Sequence, residues 1–322
     1  MQKKRAVLLE QEAETVCNES TGCPRIYQLP PKEGREVLER IQDKPVTLYS
    51  ARIDRQMVGT GLWGTIPVYV VQPDQYEEYT NVILYMHGAG WVFGSFHTHE
   101  KLVRELASRT GCVVVFPEYG RAPEARYPTA LEQCYGILCQ LPELLEKLNY
   151  KMIKDTLTIA GDSAGGNLAI AVSLLARFRQ GPRISKLLLY YPVTNACFNT
   201  RSYCIFAENY YLYRDGMIWF WNQYLSSVKE GREITASPLC ANMEQLRHMP
   251  ETMILNGEAD VLRDEGETFA DRLRRAGVPV TALRFRGIIH DFVMLNALDQ
   301  TKACRAAMDV SVEWIRRKNN LV

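Results

Sequence analysis

The sequence predicts an α/β fold in which a mostly parallel central sheet is flanked by helices and covered at one end by a helical lid. Short apolar runs rich in β-branched residues recur along the 322 residues, and stretches of helical period alternate with them. A long aromatic-rich interruption of that rhythm predicts the lid.

Taken in chain order, the runs at 68–71, 82–86, 113–116, 157–160, 187–191, 253–255 and 280–285 read as strands. Unbroken apolar runs mark strands covered on both faces, as parallel strands are. Apolar spacing of about 3.6 residues predicts helices over 99–108, 129–148, 167–178, 264–275 and 301–316. Residues 1–45 are charged and contain a helix-like piece at 32–41. They are expected to form the amino-terminal part of the lid. Residues 195–246 carry ten aromatic side chains between Phe198 and Tyr224, too long an insertion for a plain connection, and are expected to form the rest. The core is then built from 46–194 and 247–322.

Thirty-eight basic against thirty-seven acidic residues leave a net charge of +1, which argues against nucleic acid or an anionic membrane as partner and favours small neutral ligands. Nine cysteines, an odd number with no Cys-x-x-Cys pair, read as reduced thiols rather than a disulfide framework or zinc ribbon. The first residues lack a signal-peptide pattern, and no apolar run approaches the roughly 20 residues that span a bilayer. A soluble cytoplasmic protein is expected. Gly88-Ala89-Gly90 with Gly94 lacks the acid that follows a dinucleotide-binding turn by about 20 residues, so no cofactor is expected. His97 and His99 are two apart, not four, so no metal is expected either.

The chemistry is concentrated in Gly161-Asp162-Ser163-Ala164-Gly165, a serine between glycines after one predicted strand and before one predicted helix. Such a turn holds the serine in a strained conformation that only small neighbours tolerate and lifts its hydroxyl clear of the sheet. The string alone is weak, arising by accident in roughly one chain of this length in ten. A serine hydroxyl also needs a histidine to take its proton and a carboxylate to orient that histidine. Of the five histidines only His290 follows a late strand, and Asp260 ends the strand before it. The order Ser163, Asp260, His290 is that of an α/β-hydrolase. Asp264 and Glu258 are competing acids; Asp264 also fits a helix start, where carboxylates are favoured. Oxyanion donors are expected from the backbone N–H groups of Ala164, Gly88 and Ala89, and Trp91 is placed to wall the acyl pocket.

These motifs together resemble the hormone-sensitive-lipase-like family of α/β-hydrolase esterases. His87-Gly88-Ala89-Gly90 is similar to its His-Gly-Gly-Gly loop, and Gly161 to Gly165 to its Gly-Asp-Ser-Ala-Gly elbow. Asp260-Val261-Leu262-Arg263-Asp264-Glu265 and His290-Asp291-Phe292 are similar to its Asp-Pro-Leu-Arg-Asp-Glu and His-Gly-Phe segments. Ala122-Pro123-Glu124 matches a further segment. Ala89, Val261 and Asp291 are the departures, and they bear on rate and substrate range rather than on reaction type. The resemblance implies a serine carboxylesterase acting on small, short- to medium-chain acyl esters through an acyl-enzyme, with activity rising around neutral pH as His290 loses its proton. It also implies a homodimer paired along 280–285. One rival is a non-catalytic small-molecule receptor, as in the related plant gibberellin receptors; those lack the histidine that this chain keeps. Another is a hydrolase of amides, lactones or carbamates.

Overall fold

The computed structural model describes residues 5–75 and 77–317; residues 1–4 of the expected lid and 318–322 of the expected core lie outside the described residues. The strands are β1 (Arg52–Gly59), β2 (Thr65–Gln72), β3 (Tyr79–Thr80), β4 (Val82–Met86), β5 (Val113–Pro117), β6 (Lys151–Met152), β7 (Thr158–Asp162), β8 (Lys186–Tyr190), β9 (Glu251–Ala259) and β10 (Val280–Ile289). The helices are α1 (Gln11–Glu19), α2 (Pro31–Gln42), α3 (Phe96–Thr110), α4 (Thr129–Glu146), α5 (Ala164–Phe178), α6 (Arg201–Ile205), α7 (Arg214–Tyr224), α8 (Met243–Leu246), α9 (Arg263–Arg275) and α10 (Lys302–Arg316).

Eight strands form one sheet in the order β1-β2-β5-β4-β7-β8-β9-β10, antiparallel at β1–β2 and β2–β5 and parallel from β5 to β10. Every residue of β4, β5, β7 and β8 is buried, which is why these strands are legible as unbroken apolar runs. Each predicted strand is present. The edge strand β1 has no such run: its residues alternate between exposed and half-buried, so the sequence reading passes over it. The short parallel pair β3–β6 and the helix α1 were likewise not predicted. Strand β9 continues past the predicted 253–255 because Asn256, Gly257 and Glu258, polar or small, still lie in the sheet.

β4 runs between β5 and β7, so the chain leaves the sheet in opposite directions after β4 and after β5. The loops after β4 and β7 therefore meet at a crevice beside the carboxyl ends of the strands, where open α/β sheets bind ligands. Ser95 caps α3 there: its Oγ accepts from Thr98 N–H, and Thr98 Oγ1 accepts from Ser95 N–H.

The two lid segments meet over this crevice. Tyr27, from the turn before α2, lies with its ring 6.0 Å from that of Tyr213, and the Arg25 guanidinium sits 3.9 Å from the centre of the Tyr213 ring. Helix α2 is pinned to the core by two polar side chains. Arg35 donates to the Val92 and Ala122 carbonyls and pairs with Glu124. Gln42 is buried, donates to the Thr98 and Met294 carbonyls, and accepts from Asn296 N–H. Among the described residues no helix is long and apolar enough to cross a membrane.

Replacing Gln42 with Ala strands the Thr98 and Met294 carbonyls and the Asn296 N–H, on two segments at once. Gln42→Ala is expected to lower the unfolding free energy by about 2–3 kcal/mol in urea titrations. A change within about 0.5 kcal/mol would show that this clamp contributes nothing.

Candidate active site

Ser163 sits between β7 and α5 with φ 52° and ψ −119°, outside the regions that L-residues favour. The turn is possible because glycines stand two residues away on either side, at 161 and 165. A Cβ on Gly165 would fall on the Met86 carbonyl oxygen, and one on Gly161 on the Gly165 carbonyl, so β7, α5 and the end of β4 approach more closely than any side chain allows. Ser163 N–H is held by the Tyr190 carbonyl, while its own carbonyl receives Asn167 and Val193 N–H. The hydroxyl is left free to point outward.

It meets His290. Ser163 Oγ lies 2.9 Å from His290 Nε2, and Asp260 Oδ2 lies 2.7 Å from His290 Nδ1. With Nδ1–H donated to Asp260, Nε2 of the neutral ring accepts the serine hydroxyl. The other Asp260 oxygen, Oδ1, accepts Leu262 N–H, which fixes the carboxylate's rotation. All three side chains are nearly inaccessible to solvent. The competing acids are engaged elsewhere: Asp264 accepts Ser202 N–H and pairs with Arg263, and Glu258 accepts Gly287 N–H.

A second carboxylate stands at the same ring. Asp291 Oδ1 is 3.3 Å from His290 Nε2. Burial pulls the imidazolium pKa down, but the negative charges of Asp260 and Asp291 and the Asp260 hydrogen bond more than offset it, leaving His290 at about 9. Burial pushes the Asp291 carboxyl up to about 6, against the attraction of His290.

The loop after β4 is held from behind. Gly88 N–H donates to Asp162 Oδ1, which also accepts the Tyr85 hydroxyl, and His99 Nε2 lies 3.3 Å from Asp162 Oδ2. This corrects one expectation: the Gly88 N–H, expected as an oxyanion donor, is already donated to Asp162 Oδ1. The residues that follow, Ala89, Gly90 and Trp91, all have φ between 61° and 70°, and the loop turns sharply through them. Gly90 is sterically required as well, because a Cβ there would enter the Phe220 ring of the lid. His87 stacks on Tyr119 at 4.1 Å, and burial pushes its pKa down to about 3, so its ring is neutral and packs the loop.

A second expectation is also corrected. Trp91 is fully buried and stacked parallel on Tyr224, with ring centroids 4.3 Å apart. It therefore faces the lid's interior rather than the cavity beside Ser163. That cavity, about 300 Å³, is lined by Ser163, His290, Asp291, Ala89 and Gly90 on the core side and by Phe93, Tyr211, Leu212, Met217 and Phe220 among its apolar wall. A larger cleft of about 1080 Å³ opens at the opposite edge of the sheet around Lys154, Arg177 and Lys186, remote from these groups. The sequence reading missed Gly90, although it stands within the loop motif, and the wall residues Tyr211, Met217 and Phe220. Those belong to an aromatic run whose members differ only in which way each side chain faces.

The family described as alpha/beta hydrolase fold matches residues 83–294. Vegetative-specific protein H5 of Dictyostelium discoideum is 34% identical over 320 residues, 97% of this chain and 93% of that protein. Carboxylesterase NlhH of Mycobacterium tuberculosis is 30% identical over 260 residues, 80% and 81% of the two chains. Among solved structures, a thermostable esterase from Pseudomonas putida superposes with a TM-score of 0.92 at 36% identity, covering 97% of this chain and 98% of that one. The chain belongs to the α/β-hydrolase family, among its hormone-sensitive-lipase-like esterases, and its function is ester hydrolysis.

Proposed function

We propose that the chain cleaves short- to medium-chain carboxylic esters by a Ser-His-Asp mechanism, with Ser163 as nucleophile, His290 as general base and acid, and Asp260 as the group that orients the imidazole. The observation that carries this reading is the hydrogen-bond chain from Asp260 through His290 to Ser163, with links of 2.7 and 2.9 Å. His290 Nε2 takes the hydroxyl proton as Ser163 Oγ attacks the ester carbonyl. The imidazolium then gives that proton to the departing alcohol, and water repeats the two steps on the acyl-enzyme. The tetrahedral oxyanion is received by the N–H of Ala164, the first residue of α5, and by those of Ala89 and Gly90. The helix places its N-terminus at that point, which adds a favourable dipole. A cavity of about 300 Å³ suits a small acyl group better than a long one.

Hydrolysis of p-nitrophenyl butyrate tests the assignment. Ser163→Ala is expected to lower kcat by about 1,000-fold or more, and wild-type turnover of the butyrate is expected to exceed that of the palmitate. Equal background rates in wild type and Ser163→Ala would leave a binding protein on the same fold.

The pH profile tests the electrostatics. The base must be neutral, so kcat/KM is expected to climb through the mildly alkaline range towards the His290 value of about 9, above the neutral range expected from the sequence. Asp291→Asn removes one of the two charges that hold the proton on His290. The rising limb is then expected to move to lower pH by roughly one unit. An unmoved limb would show that Asp291 does not act on the base.

A further inference from the structure

Asp291 is a carboxylate that the triad does not use, and three observations indicate a use of its own. It is only 6% exposed, and its Oδ1 has no hydrogen-bond partner among the described residues. It lines the same cavity as Ser163 and His290. It also holds φ 60°, a left-handed conformation that glycine adopts without strain, so an aspartate is kept where the backbone alone would favour glycine. The backbone explains none of this: the Asp291 carbonyl already accepts Met294 and Leu295 N–H, and the local turn needs no side-chain oxygen. Among the described residues no lysine or arginine is among the charged groups acting on it. The groups facing the carboxylate are His290, whose Nε2 is aligned on Ser163 and lies 3.3 Å from Asp291 Oδ1, and the Tyr211 hydroxyl, which interacts with the same carboxylate. The Arg25 guanidinium, also on the cavity wall, is turned onto the Tyr213 ring and the Tyr27 hydroxyl.

A buried acceptor left unpaired is destabilising, and in an apolar cavity a charge discriminates strongly between ligands of opposite sign. A substrate bringing an N–H donor with positive charge would supply the missing partner, whereas one bringing a carboxylate would place like charges together. Building on the ester-hydrolase reading, we propose that Asp291 is a specificity-determining residue that selects esters carrying a protonated amine two or three bonds from the scissile carbonyl and rejects esters carrying an anionic group there. Above about pH 6 the carboxylate is ionised and able to do so.

Three ethyl esters of similar size test this: ethyl 3-aminopropanoate, ethyl butanoate and monoethyl malonate, which are cationic, neutral and anionic at about pH 7.5. In pH-stat assays of the wild type, kcat/KM is expected to fall in that order, with at least about a tenfold gap between cation and neutral ester. Asp291→Asn and Asp291→Gly should compress the series to within about threefold; the glycine variant relieves the backbone, so it keeps the test independent of folding. Calorimetric binding of the same esters to Ser163→Ala protein removes turnover from the question. Ordered binding that collapses in Ser163→Ala/Asp291→Asn supports the proposal, even if the wild type hydrolysed none of the three, a result that would sink the hydrolysis reading alone. Equal affinity for the three esters, or a charge order unchanged by Asp291→Asn, overturns it.

Discussion

The approach of α5 to the end of β4, with no side chain between them, is the constraint on which the rest of the site depends. Gly165 lies against the Met86 carbonyl, and Gly161 against the Gly165 backbone. Contact this close bends the chain at Ser163 into its strained turn, and it also brings the first N–H of the helix beside the loop that follows β4. The serine and the N–H groups proposed to receive the oxyanion are thus positioned by one packing event. Larger residues at either glycine would separate them, and the serine would relax towards ordinary backbone geometry as the strain that aims it was released.

The two segments expected to form a lid are hydrogen-bonded and packed onto the loops that follow β4 and β10. Gln42, at the end of α2, bridges the start of α3 and the segment just after His290, while Arg35 on the same helix holds Val92 and Ala122. The second lid segment reaches the oxyanion loop through Phe220, whose ring occupies the space above Gly90. Asn167, one turn into α5, donates to the Val193 carbonyl just before that segment and to the Ala236 carbonyl within it. Shape of the cavity and alignment of the base are consequently coupled: the side chains that wall the substrate space belong to elements that also fix the positions of His290 and Ala89.

Electrostatics divides the buried charges between two tasks. Asp162 faces away from the substrate and, with Tyr85 and His99, anchors Gly88; its carboxyl is held below the usual range because His99 and the hydrogen bonds it receives outweigh the effect of burial. Asp260 and Asp291 flank the two nitrogens of His290. One is satisfied by the Leu262 N–H and the imidazole, the other has a buried oxygen without a hydrogen-bond partner among the described residues. The two carboxylates at one ring therefore differ both in distance, 2.7 Å for Asp260 against 3.3 Å for Asp291, and in hydrogen bonding.

By itself the sequence determined the sheet's buried strands, the order of Ser163, Asp260 and His290, and the steric demand of the elbow. Each is local: an unbroken apolar run states that both faces are covered, and a glycine two residues to either side of a serine states that no Cβ fits there. It did not reveal β1, because an edge strand half exposed to water carries no such run. Only the tertiary structure decided that the Gly88 N–H is taken, since Asp162, 74 residues from Gly88, accepts it. It also turned Trp91 onto Tyr224 and left Phe220 and Tyr211 to line the cavity. The direction a side chain faces in an irregular loop or an all-aromatic helix depends on partners distant in the chain, and periodicity carries no record of them.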